Sequence, residues 1–144
     1  MATRDKIYVS KKQEIQGYYE RLTGESGDLL IKPFRFERDV FLAAAVTGYL
    51  KNQYVPLEPS EGKDKFVWGT LLNEQHALPA LQAIALCRTK DPAVLLDDDA
   101  VASIAEGYAN GGIHLLARQL LESGTDELVE TAIYMSEVLE QADE

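Results

Sequence analysis

Two histidines and one cysteine are the side chains of this sequence best suited to metal binding or nucleophilic chemistry. His76 and His114 stand far apart, and neither belongs to an H-E-x-x-H sequence or lies beside Cys87. Zinc sites need several such ligands at short, regular spacing. A single cysteine excludes a disulfide within the chain and is usually a small buried apolar side chain. These residues therefore predict neither a metal centre nor a catalytic nucleophile.

Three consecutive aspartates, Asp97 to Asp99, are a second candidate for cation binding. Successive residues point in different directions, whereas a calcium-binding loop takes its ligands from alternate positions. Acidic residues are also favoured at a helix start, where they interact with the positive end of the helix dipole. Because apolar residues at helical spacing follow, from Val101 to Tyr108, we interpret the aspartates as the start of a helix.

The glycine-containing segments do not match catalytic or phosphate-binding loops. GESG at residues 24–27 lacks the spacing of the G-x-S-x-G nucleophile turn. Asn110-Gly111-Gly112 has neither a preceding strand nor the glycine pattern of a phosphate-binding loop, so we interpret it as a helix stop and turn. No catalytic residue, metal site or cofactor is assigned, and we expect that the protein is not an enzyme.

The composition is typical of a folded chain of ordinary domain size. Hydrophobic residues make up 46% of the 144 residues, enough for an apolar core. The uncharged stretch from Val40 to Leu50 is about half of the ~20 residues that a membrane helix needs. The N-terminal residues MATRDKIYVSKK lack the apolar core of a signal peptide. We therefore expect a cytoplasmic protein.

The net charge of −10 is unevenly distributed. Residues 1–40 contain eight Lys and Arg against seven Asp and Glu, whereas residues 41–144 contain six against seventeen. An acidic body repels a phosphate backbone, so extensive nucleic-acid binding is disfavoured. Acidity usually serves solubility. An alternative is that the acidic part mimics DNA and occupies the basic groove of a partner.

The hydrophobic pattern predicts a mainly α protein. We expect a compact bundle of about six helices with a short N-terminal strand, DKIYV, and a small β-hairpin around residues 54–68. In that hairpin YVPL would pair with KFVW, and Trp68 would be a core anchor. The first helix would begin with a capping box at Ser10 and Gln13. The expected helices cover about residues 10–23, 36–52, 76–90, 98–109, 113–123 and 125–144.

Four segments, in this order, resemble a known family. They are RDVFLAAAVTGYLKNQYVPLE, FVWGTLLNE, LQAIALCRTKDPAVLLDDD and IAEGYANGGIHLL. The most distinctive pieces are A-A-x-x-G-Y followed by P-L-E in the first segment, and E-G-Y-A-N-G-G in the fourth. The sequence resembles the small dnd system-associated, or DNA phosphorothioation-associated, proteins, the fourth of that set. The resemblance covers about residues 30–120. The chain is expected to form a single domain, with a strand and helix in 1–28, a family-like core in 30–124 and an acidic helix in 125–144.

The resemblance implies an accessory component rather than a catalyst. Such genes accompany prokaryotic systems that place sulfur in the DNA backbone or restrict DNA lacking it, as defence against phages. No catalytic residues are carried over from the family. The motif residues are interpreted as structural, with Gly48 and Gly111 for close packing and turning, and Tyr49 and Tyr108 as anchors.

The N-terminal residues are also similar to a ribbon-helix-helix layout, in which strands paired across a dimer enter the DNA major groove. In that alternative Lys6 and Tyr8 would face the bases, while Lys11 and Lys12 would contact phosphates. The long connection GESGDLLIKP and the nearby acids Asp5 and Glu14 disfavour it.

The leading hypothesis is a non-enzymatic interaction subunit of a DNA-modification or antiviral defence system. Its partners would be other proteins of that system, and the expected partner surface is formed by Phe34, Phe36 and Tyr54. The sequence leaves open the oligomeric state and direct binding of DNA.

Overall fold

Helices dominate the computed structural model, which describes residues 6–24, 34–67, 77–121 and 135–140. The predicted mainly α class is confirmed. Residues 135–140 are helical, whereas Trp68, His76 and residues 125–134 and 141–144 of the expected last helix lie outside the described residues. No helix in these ranges is long and apolar enough to cross a membrane.

The structure has two strands, four longer helices and two short 3-10 helices with bounds in the described ranges. In chain order they are β1 (Lys6–Ser10), α1 (Gln13–Leu22), α2 (Glu37–Leu50), a 3-10 helix (Pro59–Glu61), β2 (Gly62–Val67), α3 (Ala77–Thr89), a second 3-10 helix (Pro92–Leu96) and α4 (Asp98–Leu121).

The two strands form an antiparallel pair in which Lys6 lies opposite Val67 and Ser10 lies opposite Gly62. The predicted N-terminal strand is therefore confirmed, and KFVW overlaps β2. The pairing partner differs from the expectation, because β2 pairs with β1 while residues 54–57 have no regular structure. Pro56 cannot donate a ladder hydrogen bond. The N-terminal strand can, and its pairing with β2 also buries Ile7 and Val9.

A β-bulge in β2 turns a lysine towards the helices. Ile7 lies opposite Phe66 and Tyr8 lies opposite Asp64, so Lys65 is the extra residue. The side chain of Lys65 is only 8% exposed, and its Nζ lies 3.1 Å from Glu37 Oε1. The same Nζ donates to Gln16 Oε1 at 2.9 Å. These partners make burial of the ammonium group tolerable and tie β2 to α1 and α2.

Helices α2 and α4 approach each other at a contact made by glycines. A Cβ atom added to Gly48 would overlap the carbonyl oxygen of Tyr108, and one added to Gly112 would overlap the carbonyl oxygen of Ala44. Only glycine allows the two backbones to lie this close. Gly48 belongs to A-A-x-x-G-Y, and Gly112 belongs to E-G-Y-A-N-G-G. The two most distinctive pieces of the resemblance therefore face each other in the fold.

The predicted helix stop at Asn110-Gly111-Gly112 is wrong, because α4 runs unbroken from Asp98 to Leu121. Glycine lowers helix stability by only about 1 kcal/mol per residue. Here the absent side chains permit close packing of Gly111 against the carbonyl of Gln53 and of Gly112 against α2, which outweighs that cost. Two expected helices are therefore one.

The helix starts agree with the sequence analysis in one case and differ in another. Asp97 Oδ1 accepts the N–H of Ala100 at 3.1 Å, which confirms the aspartates as a helix start. In contrast, α1 begins at Gln13 rather than after Ser10. Ser10 belongs to β1, and its hydroxyl accepts the N–H of Lys12 at 3.3 Å, so the expected capping box does not form.

The centre of helix α2 is buried on all sides. Every residue from Val40 to Ala45 is buried, as its uncharged sequence suggests. The burial ends at the C-terminus of the helix, where the side chain of Leu50 is 71% exposed. The chain then leaves the helix through Asn52, which has a φ of 55°, in the left-handed region.

Candidate functional site

The four residues proposed to contact DNA lie on β1 and just after it. Lys6, Lys11 and Lys12 are exposed, and Tyr8 is half-buried. The residues between them, Ile7 and Val9, are buried, so polar and apolar side chains alternate along the strand. Contact of the four residues with DNA stays a prediction.

Both edges of β1 are occupied. The N–H of Lys11 donates to Glu61 O at 2.8 Å and continues the pairing with β2. Because successive N–H groups of a strand alternate between its edges, the N–H of Tyr8 points the other way, where it donates to Glu106 Oε2 at 2.7 Å. On that edge the carbonyl of Ser10 accepts from Gln16 Nε2 at 2.7 Å. A second copy of β1 could pair here only by displacing these side chains.

The three residues of the expected partner surface are not neighbours. Phe34 is 7% exposed and belongs to the core, whereas Phe36 is 40% exposed. The guanidinium carbons of Arg35 and Arg38 lie 5.0 Å and 4.3 Å from the centre of the Phe36 ring. Tyr54 follows the other end of α2, a helix of 14 residues that spans about 21 Å. Phe36 and Tyr54 therefore belong to different parts of the surface.

Tyr54 is held in place by hydrogen bonds of its neighbour and by a glycine. The N–H of Val55 donates to Gly107 O at 3.0 Å, and Val55 O accepts from Asn110 Nδ2 at 3.0 Å. A Cβ atom on Gly107 would overlap the Tyr54 ring, so the glycine makes room for it. The extended segment after α2 is thereby fixed on the surface of α4.

Arg88 stacks on this fixed tyrosine. Its guanidinium carbon lies 3.6 Å from the centre of the Tyr54 ring, and its Nη1 donates to the hydroxyl of Tyr108 at 3.2 Å. The rings of Tyr54 and Tyr108 meet edge to face with their centres 4.8 Å apart. Cation–π contacts at exposed sites contribute about 0.5–1 kcal/mol. The arrangement therefore holds an exposed guanidinium in one orientation.

Cys87, next to Arg88, is exposed rather than buried as expected. A hydrogen bond with Cys87, the negative charge that its thiolate would carry, and burial each raise the pKa of the Tyr49 hydroxyl. The Tyr49 ring packs edge to face on Tyr108. A tyrosine with a raised pKa stays protonated at neutral pH.

Glu106 is a buried carboxylate in the middle of α4, with only 6% of the residue exposed. The charge of Glu106 also acts on the hydroxyl of Tyr19. Burial raises the pKa of Tyr19 far above its usual value, and the negative charges of Glu37 and Glu106 raise this pKa further. Glu106 is also the only Asp, Glu, Lys or Arg between Ala100 and Ala117. One charge inside a long uncharged helical run was the signal that could have identified it from the sequence.

Glu106 also lines a surface cleft of about 280 Å³. The other lining residues are Tyr8, Leu57, Glu58, Pro59 and Gly62. None of these is a histidine, cysteine or serine, so the cleft contains no pair of nucleophile and base of the kind used in acyl transfer. The hydrogen bond to the backbone of Tyr8 gives the Glu106 carboxylate a structural role.

His114, the histidine that the structure describes, packs against an aromatic ring. His114 is exposed, and its ring meets Tyr18 edge to face with centres 5.7 Å apart. In the described ranges, no three His, Cys, Asp or Glu side chains come together in a group suited to a metal ion. No motif or spacing in the sequence indicates Arg88.

A comparison with protein families matches almost the whole chain. The family described as DNA sulphur modification system-associated protein 4 matches residues 10–144. The match includes residues 125–144, which the resemblance over 30–120 left outside the family. No curated protein and no solved structure matches the chain. The match confirms the resemblance, and the chain belongs to the DNA sulphur modification system-associated protein 4 family.

Proposed function

We propose that the protein is a non-enzymatic accessory subunit that binds another protein of a prokaryotic DNA sulphur modification system and contributes to antiviral defence. The observation that carries this proposal is the family match over residues 10–144, because the family is associated with such a system. The family description names the system with which these proteins are associated. The role of this subunit within the system is inferred from its side chains.

The chemistry of the described side chains supports binding rather than catalysis. Glu106, the buried acid that lines the cleft, is engaged by the backbone of Tyr8. The exposed Arg88 is stacked on an aromatic ring, an arrangement suited to recognition. Tyrosine and arginine side by side are also the residue types that carry the most energy in protein interfaces.

Two alternatives from the sequence analysis are supported less well. DNA binding through paired N-terminal strands would require displacement of Glu106 or Gln16 from the outer edge of β1. Mimicry of DNA has only the acidity of residues 41–144 in its favour, and many soluble proteins are acidic.

The proposal can be tested with the purified chain and the purified proteins of the same modification system. We expect the chain to bind one of these proteins at a fixed stoichiometry and to show no DNA cleavage or nucleotide hydrolysis when alone. Turnover by the chain alone would contradict the non-enzymatic role. Competition between the chain and DNA for the same partner site would favour the mimicry alternative instead.

A further inference from the structure

The ends of α2 and α3 bring together exposed apolar and positively charged side chains. The stacking of Arg88, in the last turn of α3, on Tyr54, which follows α2, joins the two helix ends. We give the name Arg88 surface to the side chains at these two helix ends, namely Leu50 and Lys51 at the end of α2, Tyr54 and Val55 just after it, and Arg88 and Lys90 at the end of α3. Leu50 is 71% exposed and Val55 is 47% exposed, so both present apolar side chains to solvent.

Arg88 is held in one orientation and has no acidic partner among the described residues. The chain contains 24 Asp and Glu, yet no carboxylate forms an ion pair with Arg88 within the part that the structure describes. Stacking on Tyr54 and the bond to Tyr108 use one face and one donor of the guanidinium. Because arginine has five N–H donors in a planar fork, donors remain for a carboxylate. The ordering of the side chain has already taken place before any ligand binds.

The flanking lysines add to the positive charge. Lys51 and Lys90 are exposed, and neither has an ion pair among the described residues. The nearby Asp91 uses its carboxylate to accept the N–H of Ala93 at 3.0 Å. Cations near a helix C-terminus interact favourably with the helix dipole, and this interaction explains the positions of the two lysines. The helix dipole does not account for the exposure of the apolar side chains of Leu50 and Val55.

We infer that the Arg88 surface docks a segment of another protein of the modification system that carries carboxylate and apolar side chains. This inference rests on the proposed function and specifies its binding site. The carboxylates would pair with Arg88 and the lysines, and the apolar side chains would cover Leu50 and Val55. Tyrosine and arginine are enriched in protein interfaces and at their energetic centres, and the rim around such a centre is polar and accessible to solvent.

Charge and apolar exposure both favour a protein over DNA as the occupant. The net charge of −10 repels an extended polyanion, whereas a short acidic segment contacts only the local positive charge. Screening over about 8 Å at physiological salt limits the repulsion that such a segment feels. Leu50 and Val55 would gain nothing from a phosphate backbone, because their contribution depends on burial against apolar atoms.

The test measures binding of the chain to each purified protein of its modification system by biolayer interferometry at physiological salt. We expect Arg88→Glu to weaken binding about 30-fold, as for a central interface residue. Arg118→Glu is the matched control, because Arg118 is an exposed arginine in the last turn of α4. Leu50→Asp is a second test variant. Because the Leu50 side chain is 71% exposed, this change leaves the core intact, and weaker binding would report on the surface itself. Thermal unfolding of each variant checks the fold.

Carbodiimide cross-linking then tests the predicted chemistry, since it joins amines to carboxylates in direct contact. We expect cross-links from Lys51 or Lys90 to Asp or Glu of the bound protein. If a system protein binds but Arg88→Glu and Leu50→Asp behave like Arg118→Glu, the docking inference is overturned and the proposed function stands. If no system protein binds, both fail. Binding of DNA or of a second copy that depends on Arg88 would assign the surface to a different occupant and overturn the inference.

Discussion

The backbone N–H of Tyr8 donates to the carboxylate of Glu106, 2.7 Å away, and this bond joins β1 to the middle of α4. Gln16 caps the adjacent carbonyl of Ser10 on the same edge of the strand. A strand edge left open is a site for pairing with other chains, and side chains that cover it prevent this. The outer edge of β1 is therefore covered by side chains of the same protein and is not open for pairing with another strand.

Replacement of Glu106 tests the importance of this bond. Glu106→Ala leaves the N–H of Tyr8 without its acceptor, so we expect the free energy of unfolding to fall by about 1–3 kcal/mol. Glu106→Gln keeps an acceptor oxygen and should cost less. Denaturant unfolding measures both changes, with Glu20→Ala on the exposed side of α1 as control. Equal stability of all three variants would contradict the role assigned to Glu106.

The glycine contact between α2 and α4 gives a second prediction. Gly48→Ala forces the backbones apart at Tyr108, and we expect a loss of about 2–3 kcal/mol or failure to fold, as for an overpacked core. Gly17 lies in α1 with nothing within 4 Å of its added Cβ atom. Gly17→Ala should therefore stabilise the protein by about 0.5–1 kcal/mol. Denaturant midpoints that change in the same direction for both variants would refute the close contact.

Tyr19 predicts how stability depends on pH in the alkaline range. Burial raises the pKa of Tyr19 in the folded state, so above pH ~10 only the unfolded state loses this proton. Stability from this residue is complete below that pH and falls as pH rises, with a limiting slope of about 1.4 kcal/mol per pH unit. Unfolding free energies of wild type and Tyr19→Phe, compared from pH 8 to ~11, isolate the effect. Parallel curves would contradict burial of the hydroxyl.

The N-terminal lysines test the DNA-binding alternative. We expect weak binding to duplex DNA even at low salt, with no sequence preference, because the chain is acidic and the outer edge of β1 is covered. Charge reversal of Lys6, Lys11 and Lys12 to Glu should then change little. Fluorescence anisotropy over a range of salt concentrations measures this. Micromolar affinity that the triple variant abolishes would restore the ribbon-helix-helix alternative.

The sequence predicts the elements that depend on local pattern. The alternation of Ile7 and Val9 identifies β1, and the aspartates before Val101 identify the start of α4. The helix stop predicted at Asn110-Gly111-Gly112 failed because tertiary packing decides what these glycines do. The close contact between α2 and α4 requires glycine within α4, and the helix propensity of glycine carries no information about that contact.

The candidate site depends on long-range contacts, which the sequence does not display. Tyr54 was expected at a partner surface, but its stacking with Arg88 joins residues that are distant in the chain. Phe34 was expected there as well and lies in the core, since apolar residues beside a buried helix can face either way. Lys65 turns inward through a bulge whose position no spacing indicates.

The proposed role as an accessory subunit is tested most directly by a tagged purification from the native host. Mass spectrometry would identify the proteins that accompany the chain, and absorbance would detect nucleic acid. We expect a protein of the DNA sulphur modification system in stoichiometric amount and little DNA. Recovery of DNA with no protein partner would contradict the role proposed for this chain.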